Sequence, residues 1–185
     1  MIKIEKLTFN KLMSFFSDWG FTWSGLKNNK KGEWLLISQL LIIGVHLLPI
    51  TNNSLSTTNK EILIVNVCGV LILTSGLATI IRSIISLGNN ISPLPFPKKG
   101  ARLIQVKSYQ NCRHPLYKGL IFCSLGICLI KLSILHLLLL ISLIYILKEK
   151  AKVEEKFLES RYPAYKEYRE STPGIIKNMI YLDWK

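Results

Sequence analysis

Two short stretches of this chain hold most of the side chains that could do chemistry. The first is Tyr109-Gln110-Asn111-Cys112-Arg113-His114-Pro115-Leu116-Tyr117-Lys118-Gly119, which gathers two phenols, a fixed cation and a titratable ring. Pro115 suits the first turn of a helix, where a missing backbone N–H costs nothing. The open N–H groups of that turn would accept a carboxylate or phosphate, although a His-Pro pair serves equally well as a plain structural corner. The second stretch is Lys148 to Leu158, in which Lys150 and Glu154 stand four apart on one helix face. They read either as a solvated ion pair or as an inward-facing one. Lys before Glu is the weaker order for helix stabilisation, and Val153, Phe157 and Leu158 supply an apolar stripe for packing. Adjacent helical residues point about 100° apart, so only one of Glu154 and Glu155 can face a pocket squarely. Lys150, Glu154, Phe157 and Leu158 cluster on one side.

Between the functional stretches and the start of the chain lie fewer signals. Ser92-Pro93-Leu94-Pro95-Phe96-Pro97 has prolines at alternate positions, which fix φ and bias the preceding residues to extended backbone. A stiff strand laid over the helix ends is expected there. No C-x-x-C pair is present: Cys68, Cys123 and Cys128 fall in apolar runs and Cys112 in a polar loop. No metal site is expected.

The elements that must position these side chains are apolar helices. All eleven acids lie at or before Glu61 or at or after Glu149, leaving no carboxylate between. Apolar residues make up 49% of the chain, while Lys and Arg number 24 against those 11 acids, a net charge of +13. A soluble domain needs surface charge of both signs and a disordered chain needs few apolar residues; both classes are excluded. An all-α integral membrane bundle is expected, with spans at about 34–50, 62–87, 116–130 and 132–147. Lys131 divides the last two. Residues 1–33 form a separate segment in which Leu7, Leu12, Phe15, Phe16 and Trp19 suggest an amphipathic helix at the interface. Residues 34–185 form the membrane domain, of which 148–185 is the cytoplasmic C-terminal part. Twenty-one basic residues fall in the N-terminal segment, the region from 88 to 118 and the tail, against two in the other connections. A multi-pass topology with both termini cytoplasmic follows. The basic excess is spread beside the bilayer, so anionic headgroups and not nucleic acid are its expected partners.

Taken together, these motifs resemble the isoprenylcysteine carboxyl methyltransferase and phospholipid methyltransferase family of integral membrane enzymes. The resemblance runs from about Leu87 to Pro173. It rests on Leu87-Gly88, the Ser-Pro-Leu-Pro-Phe-Pro stretch, Arg113-His114-Pro115-Leu116-Tyr117-Lys118-Gly119, Glu154-Glu155-Lys-Phe-Leu158 and Tyr162-Pro163-Ala-Tyr165-Lys-Glu-Tyr168. It implies an S-adenosylmethionine-dependent methyltransferase whose cofactor pocket is roofed by the C-terminal segment. Leu103 and Ile104 would line the adenosine pocket, and Tyr109, His114, Pro115, Leu116 and Tyr117 would hold the cofactor. Glu154 would meet its charged end, which leaves Glu155 expected toward solvent or headgroups. Lys150, where many relatives have Arg, would face the substrate. Lys107 stands where a small Gly is usual, which would crowd the backbone near Tyr109.

Methyl transfer from a sulfonium needs mainly alignment and exclusion of water, which agrees with a site built without a nucleophile or metal. The expected acceptor is lipid-like or prenylated, reaching the site from the bilayer. A carboxylate is nucleophilic as the anion, and Lys150 or Arg113 would orient it as the catalytic pair. A phospholipid amine would first lose its proton, with His114 or Glu154 as acceptor, and a thiol is the third option on this scaffold. A different class of function, a haem or quinone binder, would use His46 and His136, both inside apolar spans.

Overall fold

The computed structural model describes residues 23–48, 60–98, 100–179 and 181–184. The expected interfacial helix over residues 7–19 lies outside them. Within them the chain is all-helical, with no strand. A short α1 (Trp23–Asn28) leads into α2 (Glu33–His46), followed by α3 (Lys60–Leu87), α4 (Pro115–Lys131), α5 (Ile134–Arg161) and α6 (Tyr165–Ser171). Short 3-10 turns at Gly88–Asn90 and Lys107–Tyr109 flank the loop between α3 and α4.

The helices fall on the apolar runs, with two instructive differences. Leu132 takes a left-handed φ of 45° to reverse the chain between α4 and α5. The fourth run does not stop at residue 147: α5 continues unbroken to Arg161 and carries the Lys150–Glu155 stretch on the same helix. Among the described residues, Lys60–Asn90 is the segment long and apolar enough to cross a membrane by itself, and Glu33–His46 is a shorter apolar helix.

Seven-residue spacing explains how α3 and α4 pack. The buried residues of α3 are Gly69, Gly76 and Ser83, a stripe of small side chains on an otherwise bulky helix. Opposite it run Gly119 and Gly126 of α4. A Cβ built on Gly76 would lie 2.8 Å from the Gly119 carbonyl oxygen, and one on Gly126 would lie 2.7 Å from that of Gly69. The two backbones therefore touch, as small residues permit where lipid offers no hydrophobic drive for association. The large residues of α3, among them Leu63, Ile64, Leu71, Ile81 and Ile85, are exposed, which suits a lipid-facing surface.

The core lies on the other side of α4. Here Tyr117, Ile121 and Ser124 of α4 meet the α5 face formed by His136, Leu140, Leu143, Leu147, Lys150 and Ala151. α2 closes it with Leu36, Gln39 and His46. The loop after α3 is not the extended strand expected. The Ser92 hydroxyl lies 3.0 Å from the Leu94 carbonyl and 2.9 Å from that of Phe96, so the prolines stiffen a curl around Ser92. Pro95 seats on Gly32, whose φ of +77° and lack of a Cβ both are needed there.

Gly119→Ala and Gly76→Ala should each destabilise the α3–α4 pair by about 1–3 kcal/mol through overpacking, read as a lower unfolding midpoint in detergent by circular dichroism. Gly44→Ala, with nothing within 4 Å of the new Cβ, should leave the midpoint unchanged or raise it.

Candidate functional site

The site is built where the loop before α4, the exit of α5 and the C-terminal segment converge. Pro115 occupies the first turn of α4 as its sequence suggested. Just before it, the Arg113 and His114 backbone N–H groups donate to the Pro173 and Gly174 carbonyls at 2.9 and 3.0 Å. The C-terminal segment thus docks on this corner.

Arg113 fastens it further. Its Nε donates to Glu155 Oε1 at 2.9 Å, and its terminal nitrogens donate to the carbonyls of Arg169 at 2.9 Å, Trp184 at 2.6 Å and Thr172. Expected to orient a substrate, this guanidinium is largely spent on the protein itself. Glu155 is its counterpart, and its placement corrects the sequence reading. Its side chain is 7% exposed and not turned to solvent, with His114 Nε2 at 2.8 Å and Arg169 Nε at 3.4 Å as further partners. Burial pushes the Glu155 carboxyl up, but the His114 hydrogen bond and the Arg113 charge outweigh it and hold the group below the usual carboxylate range. The expectation failed because Glu155 turns to the far side of α5, where its partners are distant in sequence: Arg113 and His114 well before it and Arg169 after it.

Glu154 faces the other way, onto a cleft beneath the Ser92–Pro97 curl. Its carboxylate accepts from the Tyr117 hydroxyl at 2.7 Å and keeps about a third of its side chain exposed. Of the sequence-chosen residues, Leu103, Ile104, Tyr109, Arg113 and Glu154 line this cleft. His114, Pro115, Leu116, Tyr117 and Lys150 do not line it. His114 stacks on Tyr117 at 5.2 Å, and both stand behind Glu154. Three tyrosines that sequence reasoning assigned only to the tail, Tyr162, Tyr165 and Tyr168, complete the lining. Tyr162 and Tyr168 donate to the Ala101 and Tyr109 carbonyls, tying α6 to the loop. The Tyr165 hydroxyl is buried with no hydrogen-bond partner among the described residues. The Tyr-Pro-Ala-Tyr-Lys-Glu-Tyr spacing was the available signal: its phenols recur every three residues, enough for one face.

Lys107 does not obstruct the cleft. It takes a left-handed φ of 57° with its side chain exposed, so the backbone keeps the conformation that glycine adopts freely, at a cost of roughly 1–2 kcal/mol.

Lys150 projects from α5 into the core instead. Its Nζ donates to Gln39 Oε1 of α2 at 2.7 Å and lies 5.5 Å from the centre of the Tyr117 ring. Burial pushes its pKa down to about 8, against the opposing pull of Glu154. Gln39 carries no motif, and nothing in the sequence singled it out. The space in the cleft is about 90 Å³, well under the ~300 Å³ at which small-molecule sites begin. A nucleoside-sized ligand requires a wider cleft than this one.

Glu155→Gln should cost about 3–5 kcal/mol, because it leaves the Arg113 guanidinium buried without its charge partner. Thermal unfolding should show a large drop, while Glu154→Gln shifts the midpoint little. Because the Glu155 carboxyl is lowered on folding, its contribution is fully present above the unfolded-state value near ~4.3. That contribution should be lost as pH falls through the lowered native value, and Glu155→Gln should flatten this acid limb.

Comparison with known proteins agrees with this geometry. No curated protein and no solved structure matches the chain significantly. The family model described as phospholipid methyltransferase matches residues 64–165, more than half of the chain, running from α3 through the Arg113–Tyr117 corner to the first residue of α6. The chain therefore belongs to the phospholipid methyltransferase family of membrane methyltransferases.

Proposed function

We propose that this chain is an S-adenosylmethionine-dependent methyltransferase that O-methylates a lipid-borne carboxylate of the isoprenylcysteine type. It would do so as a four-span protein with both termini and the cleft on the cytoplasmic side. The cleft suits the cofactor in chemistry: Leu103, Ile104 and Leu158 offer apolar walls for an adenine, and the unpartnered Tyr165 hydroxyl offers a hydrogen bond. The half-exposed Glu154 carboxylate, held by Tyr117, offers an anion to a sulfonium or ammonium group. When bound, S-adenosylmethionine would supply a methyl group activated on a positively charged sulfur.

The observation that carries the choice of acceptor is the Lys150–Gln39 pair. A cation buried beside an amide, one helical turn before Glu154, attracts an anionic acceptor and repels an ammonium headgroup. With a pKa of about 8, Lys150 is mostly charged at neutral pH. It would align the carboxylate oxygen for in-line attack, while Gln39 fixes the ammonium in place. Tyr117, lying between Lys150 and Glu154, separates the acceptor end from the cofactor end. Arg113, with His114 and Glu155, serves as a positioning group that keeps the corner and the C-terminal segment in register. A phospholipid amine as acceptor finds less support, since the carboxylates able to take its proton are committed to Tyr117 or Arg113. A bis-histidine haem reading is disfavoured by the ring centres of His46 and His136, 5.5 Å apart at a 39° tilt in a packed seam.

Two measurements test this reading. Glu154→Gln should weaken S-adenosylmethionine binding about tenfold or more by calorimetry, a loss of ~1.4 kcal/mol or greater for a charge-assisted contact; unchanged affinity would remove Glu154 from the cofactor site. With membranes, labelled cofactor and a prenylcysteine acceptor, turnover should fall as pH rises through about 8, where Lys150 loses its proton. Lys150→Arg should carry the activity to higher pH. Preferential labelling of an ethanolamine lipid by the parent protein would overturn the carboxylate assignment.

A further inference from the structure

A second polar cluster sits in the same seam, deeper in the apolar part of the fold and away from the cleft. α2 packs on α5 and hardly on α3, which leaves a groove of about 570 Å³ between α2 and α3, floored by α4. Its walls are mostly apolar, with Ile43, Leu73, Leu77 and Leu120 among them, and its polar features are His46 and Ser124, together with Lys131 at the end of α4. The His46 Nε2 and Ser124 Oγ atoms are 2.7 Å apart. His136 of α5 packs behind His46, with ring centres 5.5 Å apart. His46 is 4% exposed and His136 fully buried. Yet His46 Nδ1 and both ring nitrogens of His136 have no hydrogen-bond partner among the described residues.

Two imidazoles are an expensive way to fill an apolar seam, because a buried donor or acceptor left unpaired forfeits its hydration without return. Leucines would pack there at no such cost, as Leu140, Leu143 and Leu147 do along the same face of α5. A neutral imidazole presents one donor and one acceptor. The partner that serves the pair in either tautomer is a hydroxyl, which both donates and accepts. The groove supplies the rest of that partner, since it is apolar and opens between two helices toward the surrounding lipid.

We infer that His46 and Ser124, with His136 packed behind them, form a specificity subsite for a hydroxyl group carried partway along the apolar chain of the acceptor lipid. This rests on the proposed reading of Lys150 and Gln39 as the end that holds the acceptor's carboxylate. Gln39 to His46 on α2 and Tyr117 to Ser124 on α4 are each seven residues apart, about 10 Å along a helix. The hydroxyl is therefore near the middle of a long chain and not at its tip. A site built to hydrogen-bond a substrate hydroxyl discriminates strongly against the analogue lacking it, because its own polar groups are then left unpaired. The cluster makes the groove selective for an oxygenated lipid and poor for a plain hydrocarbon one.

The test compares octadecanoate with 10-hydroxyoctadecanoate, binding to the full chain in detergent without cofactor and read by native mass spectrometry. The parent should bind the hydroxylated acid at least fivefold more tightly. His136→Phe and Ser124→Ala should each bring the two within twofold, and His136→Gln, which keeps a donor and an acceptor, should retain most of the preference. Equal binding of both acids by the parent, as a water bridging the two rings would give, overturns the subsite whatever the variants do. A preference that survives His136→Phe and Ser124→Ala together also overturns it. Methylation of the two acids is read separately. A hydroxyl preference with no methyl transfer to either acid would count against the carboxylate reading and for the subsite, whereas methyl transfer to both without preference would do the reverse.

Discussion

Arg113 and Glu155 form the contact on which the corner between the start of α4, the exit of α5 and the C-terminal segment depends. A guanidinium and a carboxylate, both nearly excluded from solvent, meet at 2.9 Å. Each is then satisfied by further groups: three backbone carbonyls on one side, His114 and Arg169 on the other. A buried ion pair adds little net stability unless its remaining donors and lone pairs are met. Here nearly all are met, and the groups that meet them come from α4, α5, α6 and the segment after it. The pair is therefore less a source of cohesion than a rule of assembly, because the charges are tolerable only if all four elements are in place together.

The same arrangement divides α5 by function. Glu155 looks toward the C-terminal segment, Glu154 toward the cleft, and Lys150, one turn earlier, toward α2. Three charged residues on one rigid helix thus address three environments, each with its own polar partner. Because α5 runs unbroken from Ile134 to Arg161, their spacing cannot drift.

What could be read in the sequence follows from how local the cause is. The helices, the Pro115 start of α4 and the Lys131 break depend on neighbours within a turn or two and were legible. The direction of Glu154 came from the family resemblance together with the apolar residues that share its side of the helix. Glu155 was misjudged because its partners lie 14 to 42 residues away and leave no periodic trace. Gln39 was invisible for the same reason, its partner Lys150 being 111 residues on. The glycine stripes stood in the sequence at spacings of seven, yet only their opposition across α3 and α4 gives them meaning. The proline loop misled in another way: alternate prolines stiffen a curl as well as a strand, and the hydroxyl of Ser92 decides between them.

The reach of Arg113 bears on how the protein is made. Its carbonyl partners at Arg169, Thr172 and Trp184 follow it by 56, 59 and 71 residues, and Glu155 follows by 42. As the chain emerges from the ribosome, Arg113 is synthesised well before any of them. Until α5 and α6 have been made, the guanidinium lacks every one of these partners. That wait orders assembly. The two helices of the glycine-packed pair can join early, while the floor of the cleft stays unset until the last stretch of polypeptide comes round to it.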